Sequence, residues 1–267
     1  MTQYKYICIG VPYWIGDKQS ISAVDAVKNS GIVEEIGATW FDIQPDFTAY
    51  SDPVVAVNRA LADVIASHPD QMPLIFAGDC VCAIGSVKGL ESKHPAVLWY
   101  DAHGDFNTPE ISPSGFLGGM SLAVLVGRGN EILMQGVGLN PLAESDVIIT
   151  DARDLDPEEA IALANSSVTH LKNIDELLTY PLPDKPLYIH FDTDVVTPEE
   201  MPALSYPTSG GPSMARALAT IERVGHDAEV AGILFSLWKH TLDGAKMSLQ
   251  NTLELVRTLV NAQSQQS

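Results

Sequence analysis

The sequence predicts an α/β fold of three layers, a mostly parallel central sheet with helices on both faces. Three observations carry that expectation. Short apolar runs alternate with helical segments along the 267-residue chain, the pattern of strand-crossover-strand units. Some of these runs, such as Pro73-Leu-Ile-Phe-Ala77, are apolar throughout and read as strands buried on both faces. Two others break off abruptly into aspartates and a histidine, as expected where a parallel sheet presents its carboxyl edge to a ligand. No internal repeat is present, and 46% hydrophobic content is enough for one large core, so a single domain over 1–267 is expected.

Taken in order, a first strand is expected over 4–10 and a short helix over 20–29, opened by Ser20 as N-cap. Residues 39–43 read as an edge or second strand. Asp52 and Pro53 form a cap and first-turn pair ahead of Val54, Val57, Ala60 or Leu61, Val64 and Ile65, whose spacing predicts a helix to about 67. Strand 73–77 turns through Gly78-Asp79-Cys80 into a helix near 81–90. Strand 96–100 follows, then a loop rich in Gly, Ser and Pro that runs to 119; its length and place beside acidic residues mark it as functional. A helix over 120–126, a strand over 146–150, a helix over 156–164 capped by Asp156 and Pro157, and a short strand over 168–171 come next. A turn-rich connection at 181–185 enters strand 186–194. Helix 213–224, strand 230–235 and a closing helix from 244 to about 262 complete the core, with a polar tail over 263–267 that is expected to fray.

The formal net charge of −19 opposes contact with nucleic acid or anionic lipid and favours solubility. It does not by itself point to a cationic substrate, because a solvated exterior accounts for much acidity of this kind. There is no apolar run of spanning length and no basic segment leading into a long apolar one, so a cytoplasmic protein without membrane partners is expected. The three cysteines, Cys8, Cys80 and Cys82, fit a reducing compartment better than a disulfide framework.

The chemistry concentrates at two strand ends. Val97-Leu-Trp-Tyr100 stops at Asp101, His103 and Asp105, and Leu187-Tyr-Ile-His-Phe191 stops at Asp192 and Asp194. The two-residue spacing lets alternate side chains point to one side of an extended chain. Four carboxylates and one imidazole make a hard, mostly oxygen donor set suited to a divalent cation such as manganese. Without a cation, so many like charges would repel or take up protons. His190 points with Asp192 by the same alternation, and either lines the pocket or packs in the sheet.

The pattern Asp101-Ala-His-Gly-Asp105, then Asn107-Thr-Pro, Ser114-Gly115, Gly119-Met120 and Asp192-x-Asp194-x-x-x-Pro198, resembles the ureohydrolase superfamily of arginases, agmatinases and formiminoglutamases. The resemblance implies the same three-layer fold and two manganese ions sharing a bridging hydroxide, the nucleophile that hydrolyses a linear C–N bond of a small guanidine or amidine compound. It implies that Asp101 and Asp192 span both ions, that His103 and Asp194 complete one ion's shell, and that Asp105 binds the other. His103 and Asp105 are thereby expected to serve catalysis as well. Asn107 and Ser114 are expected to contact the polar end of the substrate, and a homo-oligomer is a further expectation.

Several positions depart from the family pattern. Cys80 stands where the family has a ligand histidine, and is expected either to ligate, altering the first metal site, or to pack as a small residue. Phe116-Leu117-Gly118-Gly119 replaces a segment with an amide and a proton-shuttling histidine. Leu237 falls near the family's guanidinium-holding glutamate, and Tyr206 where a threonine is common. His240 is a candidate substitute in catalysis. These changes point to an N-hydroxyguanidine or other modified substrate. The alternative is a catalytically impaired chain that uses the fold for binding or assembly.

Overall fold

The computed structural model describes residues 5–15 and 22–265. Its strands are β1 (Tyr6–Val11), β2 (Thr39–Asp42), β3 (Met72–Ala77), β4 (Ala96–His103), β5 (Val147–Asp154), β6 (Thr169–Leu171), β7 (Leu187–Asp192) and β8 (Val230–Ser236). They form one sheet in the order β2-β1-β3-β8-β7-β4-β5-β6, with all the described pairings parallel. The helices are α1 (Ser22–Lys28), α2 (Ile32–Glu35), α3 (Pro53–Ala66), α4 (Cys82–Gly89), α5 (Ser121–Leu125), α6 (Glu131–Val137), α7 (Pro157–Ala164), α8 (Met214–Asp227) and α9 (Ala245–Ser264). This is the expected three-layer α/β/α architecture.

Alternation along each strand feeds two separate cores. In β4, Leu98 and Tyr100 join the layer that holds α1, α8 and α9, while Val97 and Trp99 join the layer that holds α3, α4 and α5. The central strands are buried along nearly their whole length, which explains why their sequences are apolar throughout. Among the described residues, no helix is long and apolar enough to cross a membrane.

Caps set the starts of α3, α7 and α8 where the sequence placed them. The Val54 N–H donates to Asp52 Oδ1 at 2.8 Å with Pro53 behind it, and Asp156 and Glu159 close a reciprocal capping box at α7. Helices α2 and α6 have no counterpart in the expected elements; both are short, and α6 depends on Asn130 accepting from the Leu133 N–H at 3.0 Å. Ser20, the expected cap of α1, and Tyr4 lie outside the described residues. Strands β4 and β5 continue past their apolar runs, because the polar residues that end them still pair: Asp101 with Asp151 and His103 with Asp154. The fraying expected from 263 onward is corrected at its first residue. Gln263 is buried and its amide donates to the carbonyls of Gly225 and Ala228, which extends α9 to Ser264.

Candidate metal centre and active site

Strands β3, β8, β7 and β4 are consecutive in the sheet, and their carboxyl ends deliver Cys80, Ser236, Asp192 and Asp101 to one place. Each acidic ending is shaped by its own first aspartate. Asp79 Oδ1 accepts from the Val81 N–H at 2.9 Å, Asp101 Oδ1 from the His103 N–H at 2.7 Å, and Asp192 Oδ1 from the Asp194 N–H at 2.9 Å. These i to i+2 bonds are Asx turns, a conformation that short carboxylate side chains favour. The two-residue spacing of both acidic motifs therefore has a local cause. A register shift between Asp101 and His103, and a left-handed φ of 47° at Asp105, bend the chain around the site after β4.

All six residues expected to bind metal, Cys80, Asp101, His103, Asp105, Asp192 and Asp194, line a single cavity of about 490 Å³. Two groups of donor atoms form at its floor, with His190 buried behind the lining residues. In one, Cys80, Asp101, Asp105 and His190 each bring a donor within 4.8 Å of the others; in the second, Asp101, His103 and Asp194 do the same. Asp101 belongs to both. Asp192 accepts from the Cys80 thiol at 3.0 Å, and His103 Nδ1 lies 3.0 Å from Asp194 Oδ2 and 3.4 Å from Asp101 Oδ1.

Burial pushes the carboxyls of this cluster up, and their mutual charge adds to it. Asp192 is raised to about 7, with Asp194 as the second cause, and Asp194 to about 6, with Asp101 as the second cause. Asp105 is driven well above the carboxylate range, and Cys80 well above the thiol range, by burial and then by neighbouring carboxylates. Burial opposes protonation of His103, but its bonds to Asp101 and Asp194 prevail and raise it to about 12. Asp105 Oδ2 and both ring nitrogens of His190 are buried without hydrogen-bond partners, at a cost of about 1–3 kcal/mol for each such group. Unpaired lone pairs facing a pool of excess negative charge fit a divalent cation, and the oxygen-rich set fits a hard one.

A pH dependence follows. The folded metal-free chain holds protons on Asp192 and Asp194 that the unfolded chain releases near pH 4, so its stability falls as pH rises through about 6 and 7. His103 acts in the same direction, its contribution complete below about 6.5 and declining as pH rises toward 12. Chelator-treated protein is expected to lose on the order of 5–10 °C in Tm between pH 5 and 8 by scanning calorimetry. Added manganese is expected to remove most of that slope. A flat metal-free profile would mean that these carboxyls are not held protonated.

The cavity wall includes residues that the sequence reading missed. Asp154, at the end of β5, and Asp156 face the site, and Asn107 Nδ2 donates to Asp156 Oδ2 at 3.0 Å. Asp156 carried a signal, a strand ending in Arg153-Asp154-Leu155-Asp156, but its role as a helix cap was sufficient to explain it. Glu159 is buried and accepts from the Phe106 N–H at 2.8 Å and the Asp156 N–H at 3.2 Å, tying the loop after β4 to α7. Arg153 spans the other side, donating to the carbonyls of Asp194, Val195, Thr208 and Ser209, and Thr208 Oγ1 lies 3.4 Å from His103 Nε2.

Gly104 leaves the space that Glu159 fills: an added Cβ would lie 2.5 Å from Leu155 Cδ2 and 2.7 Å from Glu159 Oε1. Gly104→Ala is expected to cost about 1–3 kcal/mol by displacing that carboxylate, seen as a lowered urea midpoint at unchanged m-value. A midpoint equal to that of the native chain would show that the loop has slack.

Asn107 is buried and Ser114 exposed at the cavity rim. Leu237 lines the inner wall, and Trp14, Phe116 and Tyr206 form a continuous aromatic wall with ring centroids 6.1 and 5.6 Å apart. Gly118 is buried beside the Phe116 ring. Cys82 packs in the core. His240 is exposed and absent from the cavity lining, so its expected catalytic part is withdrawn: it sits two residues beyond the buried Trp238, where the chain has turned to solvent.

The profile of the Arginase family matches residues 24–258. Arginase from Brevibacillus brevis is 29% identical over 256 residues, covering 83% of this chain and 86% of that protein. Arginase from Bacillus subtilis is 30% identical over 223 residues, covering 78% and 75%. A crystal structure of arginase from Bacillus subtilis superposes with a TM-score of 0.84 at 26% identity, covering 97% of this chain and 98% of that one. Formimidoylglutamase from Bacillus subtilis shares the fold at a TM-score of 0.77 and 18% identity, covering 98% and 88%. With the family profile spanning nearly the whole described chain, the protein belongs to the arginase family and is a hydrolase of the ureohydrolase type.

Proposed function

We propose that this chain hydrolyses a linear C–N bond in a small guanidine or amidine compound whose head group is neutral or modified, such as an N-hydroxyguanidine. The observation that carries the reading is the meeting of the acidic cluster with Leu237 just past β8, where the resemblance leads one to look for a carboxylate; the further acids of the cavity, Asp154, Asp156 and Glu159, lie on the β5–α7 side. Manganese is the proposed ion: His103 and Asp194 would hold one, Asp105 and Cys80 another, and Asp101 and Asp192 would serve both. Bound cations would supply a water deprotonated at neutral pH and a Lewis acid for the developing charge.

The protein's own groups do the rest. Asn107, held by Asp156, and Ser114 are proposed to grip the polar end of the substrate at the rim, while Trp14, Phe116 and Tyr206 exclude water. Thr208 Oγ1 donates to Asp154 Oδ2 at 3.4 Å, which leaves its lone pair facing His103 Nε2–H. That chain fixes the imidazole with Nδ1 toward Asp101 and Asp194. A guanidinium held without a carboxylate loses a charge-assisted bond of about 1.5–3 kcal/mol, so free arginine is poorly favoured.

The test is metal analysis of the purified protein, followed by urea and ammonia release from arginine, N-hydroxyarginine, agmatine, guanidinobutyrate and formiminoglutamate. The modified or neutral head group is expected to be turned over faster than arginine. Stoichiometric metal with no turnover of any of them would reject the reading.

A further inference from the structure

His190 has no part in the centre as the family resemblance lays it out. It lies in β7 two residues before Asp192, has no exposed surface, and neither ring nitrogen has a hydrogen-bond partner. Its ring stacks on Trp99 of the adjacent β4, centroids 3.6 Å apart and planes 15° from parallel. Trp99 Nε1 donates to Asp101 Oδ2 at 3.1 Å, so one indole fixes both this imidazole and the carboxylate common to the two donor groups. A His190 ring nitrogen lies within 4.8 Å of Cys80 Sγ and of a carboxylate oxygen on both Asp101 and Asp105. Donor atoms held on one cation by bonds of about 2.0–2.3 Å sit at most roughly twice that distance apart, so four donors already within 4.8 Å of one another need only a small inward movement to share an ion.

Resting on the metal-centre reading above, we propose that His190 supplies the nitrogen ligand of the first ion, from the strand beneath the site. The loop after β3, where the resemblance leads one to look for a histidine, carries Cys80. The two candidates differ in what they lack. The Cys80 thiol already has oxygen partners in Asp192 and Ser236, whereas the imidazole has none. Stacking on Trp99 accounts for a flat ring here but not for two idle nitrogens, in a strand built of Leu, Tyr, Ile and Phe up to Asp192. A neutral imidazole is also a better partner for manganese than a thiol, and it serves zinc or iron equally well.

The experiment uses the full chain, stripped with chelator and reloaded. With 113Cd and 15N-histidine labelling, nuclear magnetic resonance of the native protein is expected to show one-bond cadmium–nitrogen coupling at two imidazoles, His103 and His190. In His190→Leu only the His103 coupling remains. Calorimetric titration with manganese is expected to show the first ion weakened on the order of 100-fold or more, while the metal-free Tm stays at or above the native value because an unpaired polar group has gone. A purely structural His190 would do the opposite, lowering the metal-free Tm and leaving metal affinity intact. Coupling at His103 alone in the native protein would overturn the proposal without needing any variant to fold. So would unchanged stoichiometry and affinity in His190→Leu. If the native protein binds no divalent ion, the metal-centre reading falls with it; if it binds two ions tightly without His190, only the ligand assignment falls.

Discussion

Asp101→Asn is expected to lower kcat/KM at least about 10³-fold on whichever compound the native protein hydrolyses, and to release both ions together. Asp101 is the one side chain present in both donor groups, and it is almost fully buried at the end of β4. Asparagine keeps the shape and an oxygen for the His103 N–H, so the turn survives, while the negative charge between the ion positions is lost. Several kcal/mol of transition-state stabilisation then go with the ions, and about 4 kcal/mol already corresponds to that loss of rate. Metal-free Asp101→Asn loses the acceptor of the buried Trp99 Nε1–H and a charge partner of His103, so its metal-free Tm is expected to fall by roughly 2–8 °C. Steady-state kinetics, metal stoichiometry and metal-free Tm are read together. Retention of one tight ion, or of turnover within about tenfold of native, would show that Asp101 does not serve both positions.

Leu237→Glu is expected to shift preference toward arginine, raising its kcat/KM by about 10- to 100-fold relative to N-hydroxyarginine. A charge-assisted bond worth about 1.5–3 kcal/mol supports that range. The position is suited to the test because its backbone is fixed, the Leu237 N–H donating to Ala77 O at 3.0 Å, and its side chain faces the cavity. The competing repair is harder: a histidine at position 118 presses its Cβ on the Phe116 ring, which must swing aside, so Gly118→His alone is not expected to restore activity on arginine. Competition between the two substrates in one assay gives the ratio directly. No change in that ratio would mean that the guanidinium end does not reach Leu237.

The sheet and most helices were legible because their signals are local: continuous apolar strands, Asp52 with Pro53, and Asp156 with Glu159. The acidic ligand candidates were legible for the same reason, since each motif closes its own turn with a hydrogen bond two residues apart. What escaped depends on distant partners. Gln263 looks like a tail residue until Gly225 and Ala228 present carbonyls to it. Arg153 has nothing in its neighbourhood to announce that it clamps residues 194–195 and 208–209. His190 was legible only as a direction along a strand; the stacking on Trp99 and the idle nitrogens require the neighbouring strand to be in place. His240 misled because sequence proximity to Leu237 says nothing about a chain that has already turned outward.

The Asx turns at Asp79, Asp101 and Asp192 limit how this centre can be re-engineered. In each, one carboxylate oxygen closes a small ring with the amide two residues on, and glutamate, longer by one methylene, cannot close the same ring. Exchanging aspartate for glutamate would therefore unmake the bend as well as move the oxygen. Grafting such a site onto another α/β scaffold means transplanting whole strand-end tripeptides, with their curvature, because isolated acidic side chains on a straight strand would point away from a sheet face instead of across its carboxyl edge.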